Sequence, residues 1–359
     1  MKRLALTLAL SLLSTVNSMP ARAGTPLAER SDQVVDATGL TALEVRNARG
    51  PVRIRPSADG RLHVTATKIC RLQRHADAAK YLAQTSVESR AEAGRWIVRV
   101  TYPKRIDSRI DFFELFREHS GGMEFPILEV QLVIEAPPAW AATLETASGD
   151  VDVQGLTGRL KIDTRSGDLA VADASGMLEL STASGDIELA DVGRTRLHTS
   201  SGDVAIDGVG ALVAESRSGD IAVDGARDSL RLTSASGDLR VSSAPRGIVA
   251  ATLSGDVELR GAAGVVGVQT RSGDLELSLA TGLKRCDAST SSGALNASLD
   301  PALSAALDLR TSSGEIACHA AVRTRSQDRH HLEATFGRGG APVALQTVSG
   351  DLTLTSGGN

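Results

Sequence analysis

The sequence predicts an all-β protein: a parallel β-solenoid of about eleven coils, each about 18 residues long, with an irregular capping N-terminal region. Three observations carry this. The tripeptide Ser-Gly-Asp returns at a nearly constant interval. The residues on either side of it alternate between aliphatic and polar. The composition is 42% hydrophobic but only 3% aromatic, with 35 glycines, so the core must be thin and filled by Val, Leu, Ile and Ala.

Ser-Gly-Asp begins at Ser148, Ser166, Ser184, Ser201, Ser218, Ser236, Ser254, Ser272 and Ser349, with the related Ser-Gly-Ala at Ser292 and Ser-Gly-Glu at Ser313. Successive spacings are 18, 18, 17, 17, 18, 18, 18, 20, 21 and 36. The last reads as two periods, one unit having lost its motif. Two residues before each Ser stands Thr or Ser, as in Thr182, Thr199, Ser216, Ser234 and Thr252. An aliphatic residue usually stands two before that, and aliphatics stand one and three after the Asp, as in Ile221 and Val223. Each unit therefore reads as strand, tight corner, strand and looser turn. The looser turn is marked by Asp207-Gly208, Asp224-Gly225, Pro245-Arg246-Gly247 and Gly261 to Gly264. With a period of two inside each strand, Thr and Ser point inward with the aliphatics.

Antiparallel hairpins within each unit are the alternative. A coil, in which each strand pairs with its equivalent one period later, explains why like residues recur at like positions. It also tolerates 17 to 21 residues per turn, because extra residues bulge at a corner without moving the register.

The Gly of the corner supplies a positive φ. The Asp reads as a hydrogen-bond acceptor for nearby backbone N–H groups or hydroxyls. The competing reading is a calcium ladder along Asp150, Asp168, Asp186, Asp203, Asp220, Asp238, Asp256 and Asp274. Carboxylates about 4.8 Å apart repel by about 0.9 kcal/mol per neighbour in water, which a cation would relieve. However, calcium takes six or more oxygens and each coil brings one Asp, so the structural reading is preferred and no metal or cofactor is expected. Cys286 and Cys318 fall where other units place Leu or Val, on opposite faces. Faces about 10 Å apart are too distant for a disulfide, so both are expected as buried free thiols. Cys70 has no place in the repeat.

The N-terminus reads as a signal peptide over residues 1–23: Lys2 and Arg3, an apolar run over 4–16, and Ala21-Arg22-Ala23 before cleavage at Gly24. The apolar run is shorter than the roughly 20 residues a membrane span needs. Residues 24–140 read as an irregular β region that caps the solenoid of 141–359. Within it, residues 43–54 repeat the strand-corner-strand outline with Asn47 and Gly50. Residues 62–65 and 96–102 read as strands, and 77–84 as a short helix. Phe112, Phe113, Phe116 and Phe125 are four of the chain's five Phe; they read as a cover for the open core or, for Phe112, Phe113 and Phe116, as a partner-docking site. Residues 321–338, with His330-His331, read as a surface loop.

The net charge of −4, from 39 basic and 43 acidic residues, gives no reason to expect nucleic acid. No nucleophile elbow, phosphate loop or Cys-x-x-Cys is present. A polysaccharide-active β-helix enzyme would need sugar-stacking rings and a break in the repeat. From 141 to 335 there is no Phe, Tyr or Trp, and no such break. The chain is read as non-enzymatic.

The iterated Thr-x-Ser-Gly-Asp-aliphatic-x-aliphatic unit after a signal peptide resembles the bacterial "putative adhesin" family of β-strand repeat proteins, a domain of unknown function. The resemblance covers residues 40–359 and is strongest over 144–277, departing at Ala294 and Glu315. It implies a β-solenoid fold and an envelope or surface location, and it supplies no catalytic residues. The expected role is an exported, non-catalytic adhesin-like binding or scaffold protein, in the periplasm or at the cell surface, with an envelope or extracellular partner. A self-assembling envelope protein that stacks end to end is the alternative.

Overall fold

Strands that alternate one residue in and one out can bury their inner side only if a second strand layer closes on it, and the short corners provide that layer. The computed structural model describes residues 17–18, 26–72, 75–103 and 128–357. Apart from Asn17–Ser18, the proposed signal peptide lies outside them, as do Phe112, Phe113, Phe116 and Phe125. The chain divides into two compact units, Met1–Gly167 and Asp168–Asn359, and almost all of its regular structure is strand.

In the second unit, over Leu169–Leu299, each coil's strands pair in parallel with their equivalents in the adjoining coil. Leu212–Ser218 lies on Leu230–Ser236, with Leu212 opposite Leu230, Ala214 opposite Leu232 and Ser216 opposite Ser234. Beyond the corner Ile221–Ala226 lies on Leu239–Ala244, with Ile221 opposite Leu239 and Val223 opposite Val241. The coil, not the hairpin, is thus the unit of pairing. Leu230, Leu232 and Ser234 are buried while Arg231 and Thr233 are exposed, the alternation read from the sequence. The two extra residues between Ser272 and Ser292 appear as register shifts between Leu259 and Val265, after which the pairing of Val266 with Cys286 resumes. This is the bulge that a fixed core register requires.

The interval of 36 is not two coils in a row. Residues after Ser313 form strand Ile316–Cys318, then an antiparallel hairpin of Val322–Gln327 and His331–Phe336. His331–Phe336 pairs antiparallel with Ala305–Ser313, so residues 321–338 are not a loop. The chain then turns back, and its last coil enters between two earlier ones. Ala341–Ser349 pairs in parallel with Leu275–Ser292 on one edge and Ala305–Ser313 on the other. Leu352–Ser356 does the same between Leu295–Leu299 and Ile316–Cys318. The corners therefore stack in the order Gly273, Gly293, Gly350, Gly314.

The first unit has a comparable insertion. The coil of Ala42–Arg49 and Val52–Pro56 has Arg95–Thr101 and Leu128–Ala136 on one side and Ala141–Ser148 and Val151–Gln154 on the other, all parallel. Asn47 fixes its corner by donating from Nδ2 to the carbonyls of Gly50 (3.1 Å) and Val130 (2.8 Å). The rest of this region is antiparallel: Leu27–Val35, Leu62–Cys70 and Leu128–Ala136 form an antiparallel run, and Ser86–Glu92 pairs antiparallel with Arg95–Thr101. The short helix forms over His75–Gln84. Its Ala78, Tyr81 and Leu82 pack on Leu128 and on Cys70, which gives that cysteine a place in the core.

All three cysteines are free. Cys286 is fully buried, and burial pushes its thiol up to about 12. Cys318 differs from expectation: it is half-buried, because its strand has only three residues. Thiol titration at pH 8 is expected to label Cys318 first and Cys286 only on unfolding; equal rates for the two would show that the coil around Cys286 is open.

Candidate functional site

The row of Ser-Gly-Asp corners is the one feature repeated along the whole second unit. The glycines have φ between +114 and +158° from Gly202 to Gly350. A Cβ on any of these corner glycines would meet the carbonyl of the glycine in the adjoining coil: Gly219 on Gly202, Gly237 on Gly219, Gly255 on Gly237. Glycine is required twice over, by conformation and by the close approach. Before the corners of the second unit the inward Thr or Ser is buried, and in three successive coils it closes its own turn. Thr182 Oγ1 donates to the Ser184 carbonyl, Thr199 to Ser201 and Ser216 Oγ to Ser218, each at 3.0 Å. Further along, Thr290 Oγ1 donates instead to the carbonyl of Gly273 at 3.1 Å, in the coil before.

The aspartates link coil to coil. Asp186 N–H donates to Asp168 Oδ1 at 3.0 Å, Asp203 N–H to Asp186 Oδ1 at 2.9 Å, and Asp220 N–H to Asp203 Oδ1 at 2.9 Å. The series continues through Asp238, Asp256 and Asp274. It ends with Ala294 N–H donating to Asp274 Oδ1 at 2.7 Å. The backbone carbonyls run the other way, the Asp220 carbonyl accepting from Val204 N–H at 2.9 Å. The acceptor role is therefore met by the next coil, not by a local turn. Ala294 and Glu315 depart from the motif without breaking the donor side: Glu315 N–H donates to Asp351 Oδ1 at 3.0 Å. In unit one, Asp150 sits at the equivalent corner, and its carbonyl accepts from Val52 N–H.

Arg240 lies along this row, donating from Nη2 to Asp238 Oδ2 at 2.7 Å and from Nη1 to Asp220 Oδ2 at 3.3 Å. One arginine thus offsets part of the repulsion between two stacked carboxylates. Among the described residues, no group of three or more His, Cys, Asp or Glu comes together as a metal ion would need. Asp238→Ala is expected to cost about 1–2 kcal/mol, leaving the Asp256 N–H without its acceptor. Asp238→Asn, which keeps an acceptor oxygen, should cost less than half of that in urea denaturation. Equal losses would show that the charge facing Arg240 matters more than the ladder. Millimolar calcium should leave the melting temperature of the wild-type chain unchanged.

A second polar cluster escaped the sequence reading. On the outer faces of Ala305–Ser313 and His331–Phe336, Asp308 takes a hydrogen bond from Arg310 Nε at 2.8 Å and lies 3.0 Å from His331 Nε2. The Arg310 guanidinium, then His331, hold the Asp308 carboxyl below the usual carboxylate range. The signal was the alternation of His331-Leu332-Glu333-Ala334, which reads as a strand. In unit one, hydrogen bonding from Arg55 similarly lowers Asp152.

The family model described as Toastrack DUF4097 matches residues 131–208, 178–252 and 195–355. The chain belongs to this family. The Toastrack match covers the corners described above and extends into the unit-one segment that carries the first of them. No curated protein matches the sequence. Solved structures similar to the chain include a "putative cell adhesion protein" from Clostridium sporogenes, at 8% identity and TM-score 0.23, covering 93% of this chain and 100% of the other. A "putative adhesin" from Bacteroides fragilis has 9% identity and TM-score 0.31, covering 92% and 98%. A "putative lipid binding protein" from Parabacteroides distasonis has 11% identity and TM-score 0.29, covering 92% and 97%. No described helix is long and apolar enough to cross a membrane.

Proposed function

We propose that this Toastrack protein is an exported, non-catalytic component of the cell envelope that presents its strand faces as an adhesin-like binding or scaffolding surface. The observation that carries the reading is the continuity of the repeat. From Leu169 to Leu299 every coil pairs with the next in parallel, and inward positions, Cys286 apart, hold aliphatics, Thr or Ser. Outward positions carry short or oppositely charged side chains: Ala205, Ala222, Arg240 and Glu258 stand in one row. Catalysis needs groups converging at one place, whereas a row of this kind offers the same modest contacts many times over, which suits an extended partner.

Export rests on the basic start, the apolar run and the small residues before Gly24. Under the same reading, residues 24–140 close the open core, their antiparallel strands blocking edge pairing. The test is fractionation with mass analysis of the mature chain, followed by an attachment assay. The expected result is a chain beginning at Gly24 outside the cytoplasm, and a deletion strain that attaches less. An uncleaved cytoplasmic chain, or attachment equal to wild type, would overturn the proposal.

A further inference from the structure

The last coil of the chain is held in a slot, and that slot is built from groups every coil supplies. On one side Thr347 Oγ1 donates to the Gly293 carbonyl at 3.1 Å, Gly293 N–H to the Ser349 carbonyl at 3.1 Å and Leu295 N–H to the Asp351 carbonyl at 2.9 Å. On the other side Thr311 Oγ1 donates to the Gly350 carbonyl, Gly350 N–H to the Ser313 carbonyl and Leu352 N–H to the Glu315 carbonyl. All of these bonds would form equally with a coil from another molecule.

The coil is tied to the hairpin of Val322–Gln327 and His331–Phe336 by residues 337–340 alone, Gly-Arg-Gly-Gly. Phe336 and Ala341 both stand opposite Ala305, on its two edges, so this link must cross one strand, a span of about 9.6 Å, or two strand spacings. It does so with Gly337 at φ +63° and Gly339 at φ +78°. Cβ atoms at Gly337 and Gly340 would lie 2.8 Å from Ser304 Oγ and 2.9 Å from the Ser304 carbonyl. Short, constrained hinges of this kind favour exchange between copies.

We propose that residues 341–356 are an exchangeable coil, and that two copies of this chain can join by inserting it into each other's slot. The inference concerns the C-terminal end of unit two and is independent of the proposed function.

The full chain lacking residues 338–340 tests it. With only Gly337 left, two Cα steps reach at most about 7.6 Å, less than the crossing needs, so the coil cannot return to its own slot. Light scattering is expected to show a doubled mass, which Gly350→Val in the same chain should restore to monomer, because the new side chain would meet the Gly293 carbonyl. A folded monomer, or a dimer unaffected by Gly350→Val, would overturn the proposal. If the shortened chain does not fold, two differently tagged full-length chains, incubated together just below their denaturation midpoint and then diluted, provide the second reading. Co-capture is expected for wild type and its loss for Gly350→Val; no co-capture of the wild-type chains would overturn the proposal.

Discussion

Replacing Gly237 by Val is expected to destabilise the second unit by about 3–5 kcal/mol, among the largest effects a single substitution produces. Two separate demands meet at this residue. Its φ of +141° lies where a β-branched side chain is strained, and its Cβ would fall on the carbonyl of Gly219. A flexible side chain could yield to such a contact, but here the obstacle is the backbone of the adjoining coil. That coil is fixed in turn by the Asp220 to Asp238 hydrogen bond. The corner can open only by parting the stack. Gly60→Val is the control. Gly60 also has positive φ, at +71°, but a Cβ there meets nothing within 4 Å, so only the conformational penalty of about 1–2 kcal/mol remains. Denaturation midpoints of the two variants should separate by this difference. Similar losses would mean that corner packing contributes little.

Leu232→Ala is expected to cost about 3–5 kcal/mol, toward the upper end for a buried leucine. The cost of such a change depends on whether neighbours can fill the space. Leu232 is fully buried, and its ladder neighbours on both sides are alanines, Ala214 and Ala250. Neither can reach into the vacancy, and the parallel strands cannot close without shifting the stack. Leu253 lies in the next coil but is 50% exposed, so Leu253→Ala should fall within about 0.5 kcal/mol of wild type. Because each coil touches only its neighbours, stability in such an array is a sum of local terms. Hydrogen exchange in Leu232→Ala should accordingly rise most in strands Leu212–Ser218, Leu230–Ser236 and Ile248–Ser254. Uniform loss of protection across the unit would point to a single cooperative block instead.

The corner was legible in the sequence because its constraints are local. A glycine at positive φ, an inward hydroxyl two residues before the Ser, and aliphatics in step on both sides recur from Thr182 to Leu277, and each occupies its expected face. The order of the last coils was not legible. Thr290, Thr347 and Thr311, with the Ser-Gly pairs that follow, make chemically equivalent coils, so their sequence specifies a coil without specifying its neighbour. The return of residues 341–356 is decided by the hairpin at 322–336, whose alternation was hidden by the charges of Arg323, Arg325 and Asp328. In the first unit the corner at Asn47 and Gly50 was readable, but the antiparallel run was not. Leu27–Val35 and Leu62–Cys70 find partners far along the chain, and nothing local marks which edge they take. The acceptor role of the aspartates was foreseen, while the donor, one coil away, follows only from the stacking.

Everything here depends on consecutive coils lying on one another in parallel register. The most direct measurement is disulfide formation between paired cysteines placed at exposed sites. Ala205 and Ala222 stand opposite each other in neighbouring coils, about 4.8 Å apart and within disulfide reach. Glu215 and Ala222 would be opposite if the unit folded as a hairpin closing at Ser218-Gly219; in the coil they face outward from different layers. Under mild oxidation A205C/A222C should cross-link within the chain and E215C/A222C should not. The reverse pattern would contradict the solenoid.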